Sequence, residues 1–272
     1  MAIELSIIIL NYKSRGLVRQ CVKGIKKFPP KVSFEIIVVD NHSEDGVGMM
    51  LAERYPEVKI VASSLNGGFG SGMNLGIAKS AGKYLLLLNP DIVVFDGSIQ
   101  RLYEFMEANP SAAIAGPQLL NPDGTVQLSC FRFHSLLTPL YRRTPLGNLP
   151  FAKAHLAQFL MKDDFHNRNR AVEWILGACM MIRKSALDAI GLFDERFFLY
   201  FEDTDLCRRA WEKGFKVIYV ADAQMAHYHK RESAEYSGFG GLFSYPTRVH
   251  ITSWIKYLLK YQKKPVPNIS EL

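Results

Sequence analysis

Apolar residues follow two alternating patterns along the first half of the chain. Leu5–Leu10 is an almost continuous apolar run, as expected of a strand buried on both faces. Leu17, Val18, Cys21, Val22 and Ile25 then recur at three- and four-residue spacing, which predicts a helix. Glu35–Asp40 predicts a second strand, with a helix after it through Met50, Leu51 and Tyr55, and Val58–Ala62 predicts a short third strand. The glycine-rich stretch Asn66–Gly72 is expected as a turn leading into a helix that holds Leu75, Ile77 and Ala78. Tyr84–Leu88 is the fourth strand, and Ile99, Leu102, Tyr103 and Met106 mark the next helix. Alternation of this kind implies a parallel sheet with helices on both faces.

The second half is less regular. Ser135–Arg170 is rich in Pro, Arg and His without a clean period, and is expected to be a long loop with short helices. Glu173–Ile182 is apolar and expected to be buried. Glu202–Lys213 predicts a helix closed by Gly214, and Lys216–Val220 another strand. Leu242–Tyr261 predicts an amphipathic helix, with Ile251, Trp254, Ile255, Leu258 and Leu259 opposed by Arg248, Lys256 and Lys260. There is no internal repeat.

Composition narrows the class. Of the 272 residues, 48% are hydrophobic and 22% charged, which fits a globular α/β protein and excludes wholesale disorder. No apolar run approaches the ~20 residues that span a bilayer. The N-terminus lacks a basic region and a small-residue cleavage site, so no secretory signal is expected. Cys21, Cys130, Cys179 and Cys207 are scattered without a C-x-x-C pair, as expected of reduced thiols in a cytoplasmic protein. The net charge is +7, yet Gly124–Lys162 and Tyr236–Ser270 together hold ten cations and no acid. These two segments point to an anionic partner.

In sheets of this type ligands bind beyond the carboxyl ends of the strands. The residues there are Asn11-Tyr12, Asp40-Asn41 and Asn89-Pro90-Asp91. Two of them admit a second reading: Asp40 as a cap for the helix opening near Ser43-Glu44, and Asn89-Pro90-Asp91 as a turn. Gly67–Gly72 fails the dinucleotide-binding spacing, because Met73 stands where a third glycine is needed. Gly82-Lys83 is followed by Tyr84, so no Walker A loop exists. The glycine stretch either lets the backbone approach a ligand, with Asn66 and Asn74 as hydrogen-bonding groups, or simply opens a helix. Glu202, Asp203 and Asp205 crowd a helix start behind aromatic residues. Either they complement the helix dipole, or they hold a general base in an apolar mouth that raises its pKa. His227 and His229 follow the last strand and could ligate a metal as neutral imidazole.

Taken in order, Ser6-Ile-Ile-Ile-Leu-Asn-Tyr12, Val38-Val-Asp-Asn41, Asn66-Gly-Gly-Phe69, Asn74, Asn89-Pro-Asp91, Trp174-Ile-Leu-Gly-Ala178, Gly191-Leu-Phe-Asp-Glu195 and Phe201-Glu-Asp-Thr-Asp-Leu-Cys207 resemble the inverting glycosyltransferases of family 2, in particular their bacterial rhamnosyltransferase branch. The resemblance runs from about Ile3 to Arg231. It implies a GT-A fold, a mostly parallel Rossmann-like sheet flanked by helices. Residues 1–123 would form the nucleotide-sugar half and 124–231 the acceptor and catalytic half, with 232–272 as a basic amphipathic helical extension.

The roles it implies follow the motifs. Asn11, Tyr12, Asp40 and Asn41 would hold the nucleotide, and Asn66, Gly67, Phe69, Asn74 and Asn89 would line the donor pocket. Asp91 would bridge a divalent cation, Mg²⁺ or Mn²⁺, to the sugar diphosphate, with His227 as a further ligand. Trp174, Gly177 and Ala178 would face the transferred sugar and the acceptor. Asp203 would be the general base, supported by Glu202. Asn89 replaces the first acid of the family's D-x-D, which removes one charge from the metal site. The implied partners are a nucleoside-diphosphate sugar, with dTDP-L-rhamnose expected and a UDP- or GDP-hexose as the alternative, and a lipid-diphosphate-linked acceptor, but not nucleic acid. The C-terminal helix would rest on the inner membrane face, form a homodimer interface, or pack on its own domain. A non-catalytic nucleotide-sugar-binding protein is the rival class, and the Glu202-Asp203 pair argues against it.

Overall fold

Every strand and helix predicted in the first half forms. The computed structural model describes residues 2–162, 166–228 and 244–269. Its first part comprises β1 (Leu5–Asn11), α1 (Arg15–Lys27), β2 (Phe34–Asp40), α2 (Val47–Arg54), β3 (Lys59–Ala62), α3 (Gly68–Lys79), β4 (Tyr84–Leu88), β5 (Ile92–Val94) and α4 (Ser98–Ala108). Strands β6 (Ala112–Leu120), β7 (Val126–Gln127) and β8 (Cys130–Phe131) lead to α5 (Thr138–Arg143), a 3₁₀ turn at Pro145–Asn148 and α6 (Pro150–Phe159). Then come β9 (Arg170–Ala171), β10 (Trp174–Ile175), β11 (Cys179–Arg183), α7 (Leu187–Ile190), α8 (Glu202–Glu212), β12 (Lys216–His227) and α9 (Tyr245–Tyr261).

The main sheet runs β3-β2-β1-β4-β11-β6-β12-β5. β3, β2, β1 and β4 are mutually parallel, β11 is antiparallel to both β4 and β6, and β12 is parallel to β6. Side chains alternate between two cores, as the period of a strand requires. Ile8, Leu10, Ile37, Val39, Leu85 and Leu87 face one side, and Ile7, Ile9, Ile36, Val38, Leu86 and Leu88 the other. Because β1 lies between β2 and β4, the chain reverses its direction of growth there. A crevice opens at the carboxyl ends of β1 and β4.

Four expectations change. Gly68–Gly72 is not a turn but the first part of α3, where the glycines permit close packing on β1. A Cβ on Gly72 would stand 2.4 Å from Leu10 Cδ1, and one on Gly76 2.5 Å from Ile8 Cγ2. Glu173–Ile182 is buried as expected from Trp174 on but forms two strands in different sheets, broken at Leu176–Ala178. The strand predicted at Lys216–Val220 continues to His227. Finally, α9 buries His250, Ser253, Tyr257 and Tyr261, while Ile255 and Leu259 of the predicted inner face are exposed. The 231/232 boundary, His229 and Leu242 lie outside the described residues.

Candidate functional site

Two adjoining cavities occupy the crevice. The first, about 570 Å³, is walled by Tyr12, Asn41, Asn66 and Asp91 from the strand ends and by Tyr245, Pro246 and Val249 of α9. The second, about 350 Å³, is lined by Trp174, Gly177, Ala178, Glu202, Asp203 and His227. Phe69, Asn89, Leu199 and Tyr200 belong to both and form the junction.

Several residues of the nucleotide motifs build the frame of the first cavity. Asn11 is fully buried; its Nδ2 donates to Ser43 Oγ at 2.9 Å and lies 3.2–3.3 Å from the carboxylates of Asp40 and Asp45. Asp40 Oδ1 also accepts from the Ser43 N–H at 3.1 Å, but this bond closes a loop and caps no helix, because α2 opens only at Val47, behind Gly46 and without a side-chain cap. Asn41 Nδ2 donates to Asn66 Oδ1 at 2.9 Å and to the Gly68 carbonyl at 3.0 Å, which pins β2 to the start of α3. Asn74 exchanges two 3.0 Å hydrogen bonds with the Phe193 backbone and donates to Glu195. Asn11, Asp40, Gly67 and Asn74 line neither cavity.

Asn89-Pro90-Asp91 is a turn, closed by the Ile92 N–H donating to the Asn89 carbonyl at 3.2 Å. The turn carries Asp91 to the end of β12, where Asp91 Oδ2 faces His227 Nε2 at 3.4 Å. Gln127 sets the imidazole. Its Nε2 donates to Asn121 Oδ1 at 3.0 Å, so its Oε1 accepts from His227 Nδ1 at 2.7 Å. That bond places a proton on Nδ1 and leaves Nε2 facing Asp91. One carboxylate oxygen and one imidazole nitrogen so arranged fit a divalent cation that takes its remaining ligands from phosphate and water. Among the described residues no group of three or more His, Cys, Asp or Glu gathers, so the protein alone does not complete a cage.

The second cavity holds the acidic pair. Tyr200 and Phe201 both have positive φ, +69° and +71°, a region that bulky residues rarely occupy. This strained entry starts α8 abruptly and buries Glu202 and Asp203 in its first turn. Asp203 Oδ2 accepts from the Gly177 N–H at 3.0 Å and Oδ1 from the Thr204 N–H at 2.7 Å. Glu202 Oε2 has no hydrogen-bond partner. Burial, then the charge of Asp203, pushes Glu202 well above the ordinary carboxylate range. Burial raises Asp203 too, but the Gly177 and Thr204 N–H groups oppose it. The pair is thus arranged to keep its proton on Glu202 and its charge on Asp203.

Sequence reasoning missed part of this wall. Phe131, His134 and Arg142 enter the second cavity from the acid-free segment Gly124–Lys162, while from α9 Tyr245, Pro246 and Val249 line the first cavity and His250 the second. The acid-free composition of both segments was the available signal. α9 is a wall of the site and is locked to α8. Tyr261 Oη donates to Asp205 at 2.8 Å, and Lys260 Nζ bridges Asp205 at 2.5 Å and Asp194 at 2.7 Å. Hydrogen bonds from Arg196 and Lys260 outweigh partial burial and hold the Asp194 carboxyl well below its usual range.

Residues 3–238 match the family described as glycosyltransferase like family 2, and the chain belongs to it. It is 31% identical over 217 residues to the N-acetylglucosaminyl-diphospho-decaprenol L-rhamnosyltransferase of Mycobacterium tuberculosis, covering 73% of this chain and 67% of that protein. It is 22% identical over 269 residues to the rhamnosyltransferase WbbL of Escherichia coli, covering 93% and 92%. Among solved structures it resembles GalNAc-T7 with UDP, GalNAc and Mn²⁺, with a TM-score of 0.69 at 15% identity over 97% of this chain and 49% of that one. Staphylococcus aureus TarS with UDP-GlcNAc gives a TM-score of 0.58 at 17% identity, over 89% and 62%. The expected GT-A architecture is therefore the observed one.

Proposed function

We propose that the protein transfers L-rhamnose from dTDP-L-rhamnose, with inversion, to a hydroxyl of a lipid-diphosphate-linked saccharide used for surface polysaccharide. The names of the relatives support the donor and the acceptor. One observation carries the reading: the Asp91–His227 pair and the Glu202–Asp203 pair face adjoining cavities that share Asn89 and Phe69. A donor held with its diphosphate at Asp91 presents its anomeric carbon at that junction, within the cavity that contains Asp203.

Asp203 is the general base, taking the proton of the acceptor hydroxyl as that oxygen attacks the anomeric carbon. The bond from anomeric carbon to phosphate oxygen breaks as the new one forms, and without an enzyme nucleophile the configuration inverts. Glu202, protonated, leaves the charge on Asp203. Asp91 and His227 would hold Mg²⁺ or Mn²⁺, which would supply positive charge against the departing diphosphate. Tyr12, Asn41, Asn66 and Phe69 enclose the nucleotide, while Asn11 and Asp40 keep the strand ends in place. Trp174, Gly177 and Ala178 border the acceptor.

Among the described residues no helix is long and apolar enough to cross a membrane. A lipid-linked acceptor supports action at the inner membrane face, with the acid-free C-terminal segment nearest the lipid. A thermal-shift panel of nucleotide sugars with and without Mg²⁺, followed by transfer assays, tests the proposal. Stabilisation by dTDP-L-rhamnose and transfer from it are expected. Selective stabilisation by a UDP- or GDP-hexose, with turnover of that sugar alone, refutes the donor assignment.

A further inference from the structure

The second cavity contains more chemistry than the acidic pair uses. Its floor is a stack of rings: Phe131 lies 4.4 Å from Trp174, and His134 lies 5.5 Å from Trp174 and 4.6 Å from Phe201, centroid to centroid. His134 is only 8% exposed, and its Nδ1 has no hydrogen-bond partner. Burial, then the positive charge of Arg142, moves its pKa well below the usual histidine value, so the ring is neutral at neutral pH. A buried polar atom without a partner is costly in a folded protein and needs an explanation. Arg142 lies at the rim, exposed, its guanidinium 5.4 Å from the Phe159 ring centroid. It is the only Arg or Lys among the described residues lining this cavity, which otherwise carries two carboxyl groups. A phosphorylated acceptor therefore meets one cation here, in a cavity that Asp91 does not line.

We propose that this cavity is an acceptor subsite for a glycosyl phosphate or diphosphate, in which His134 hydrogen-bonds a hydroxyl of the acceptor sugar and Arg142 pairs with the phosphate on its anomeric carbon. The proposal rests on the glycosyltransferase reading above and deepens it. The aromatic floor takes the apolar face of the sugar, as pockets with few polar groups commonly do. Arg142 suits phosphate because its guanidinium can form two parallel hydrogen bonds to the oxygens. The acceptor is then fixed at both ends: the phosphate at the rim, and one hydroxyl turned inward toward Asp203.

Binding without turnover tests this. Two probes are titrated into the protein by calorimetry: N-acetylglucosaminyl diphosphate capped with a short alkyl chain, and the matched alkyl N-acetylglucosaminide. Wild type should prefer the diphosphate by about tenfold or more, and Arg142→Ala should lose that preference while still binding the glycoside. His134→Phe should weaken both probes by about tenfold, and His134→Gln, which retains a hydrogen-bonding atom, should recover part of the loss. Thermal melts check that each variant is folded, and dTDP-sugar affinity should be unchanged in all of them. A preference for the diphosphate that survives in Arg142→Ala, equal binding of both probes by wild type, or a loss that falls on the donor instead would overturn the proposal. Absence of any nucleotide-sugar binding by wild type would instead overturn the glycosyltransferase reading itself.

Discussion

The Gly177 N–H donates to Asp203 Oδ2 at 3.0 Å, and a Cβ on Gly177 would stand 3.3 Å from the Asp203 Cβ. The glycine lets the backbone between β10 and β11 approach the carboxylate closely enough to donate a hydrogen bond that opposes the effect of burial. Asp203→Asn preserves size and can keep one of the two backbone hydrogen bonds, but removes the proposed base. Its kcat should fall by about 10²–10⁴, with the donor dissociation constant nearly unchanged. Turnover near the wild-type rate would remove Asp203 from its proposed role.

Glu202 supplies a pH signature. Its folded pKa is raised well above the ordinary 4.5, so it favours the fold while protonated. That contribution is fully present below the unfolded value and is lost as pH rises through the folded one. Glu202→Gln, which is never charged, should therefore melt at a higher temperature than wild type at neutral pH, with the gap closing below about pH 4. Melting curves across pH 4–8 decide it, and a gap independent of pH would rule out a protonated Glu202. The raised Asp203 pKa also predicts that the acid limb of kcat against pH lies above the ordinary carboxylate value of 3.8.

The imidazole of His227 is oriented through Gln127, so the proposed metal site would depend on a residue outside both cavities. Gln127→Leu should weaken Mn²⁺ binding in the presence of dTDP by about 10–100-fold, read from the free Mn²⁺ resonance signal. Asp91→Ala should weaken donor binding far more in Mg²⁺ than in EDTA. Equal losses in the two buffers would leave Asp91 as a turn residue alone.

The parallel half of the sheet was legible because β1, β2 and β4 are buried on both faces and end abruptly in polar residues. β6 was not, since Gly116 and Pro117 break its pattern. The structure accommodates Pro117 beyond Ala115, the last residue of β6 that pairs with β11. Most motif residues line the two cavities, but some lie behind the walls. Asn11 and Asn74 use their amides to fix backbone and strand ends, a distinction that depends on side-chain direction and not on order in the chain. For α9, hydropathy selected the aliphatic stripe. The buried stripe is polar and aromatic because it satisfies groups that α8 and the preceding loop present, such as Asp205 and the Leu199 carbonyl.

That anchoring gives a test of whether α9 belongs to the site. Asp205 is fully buried and accepts from Arg209, Lys260 and Tyr261. Asp205→Ala leaves two cations and a hydroxyl that are mostly shielded from water, and should cost about 3–5 kcal/mol. Because α9 supplies Tyr245, Pro246 and Val249 to the first cavity, the loss should also raise the KM for the donor. Ile255 and Leu259 lie on the same helix but face outward, so Ile255→Ser and Leu259→Ser should change stability by only about 0.5 kcal/mol and leave the donor KM unchanged. Urea melts and donor titrations on the three variants separate the two faces. A donor KM that stays at the wild-type value in folded Asp205→Ala would show that the first cavity keeps its shape without the α8–α9 lock.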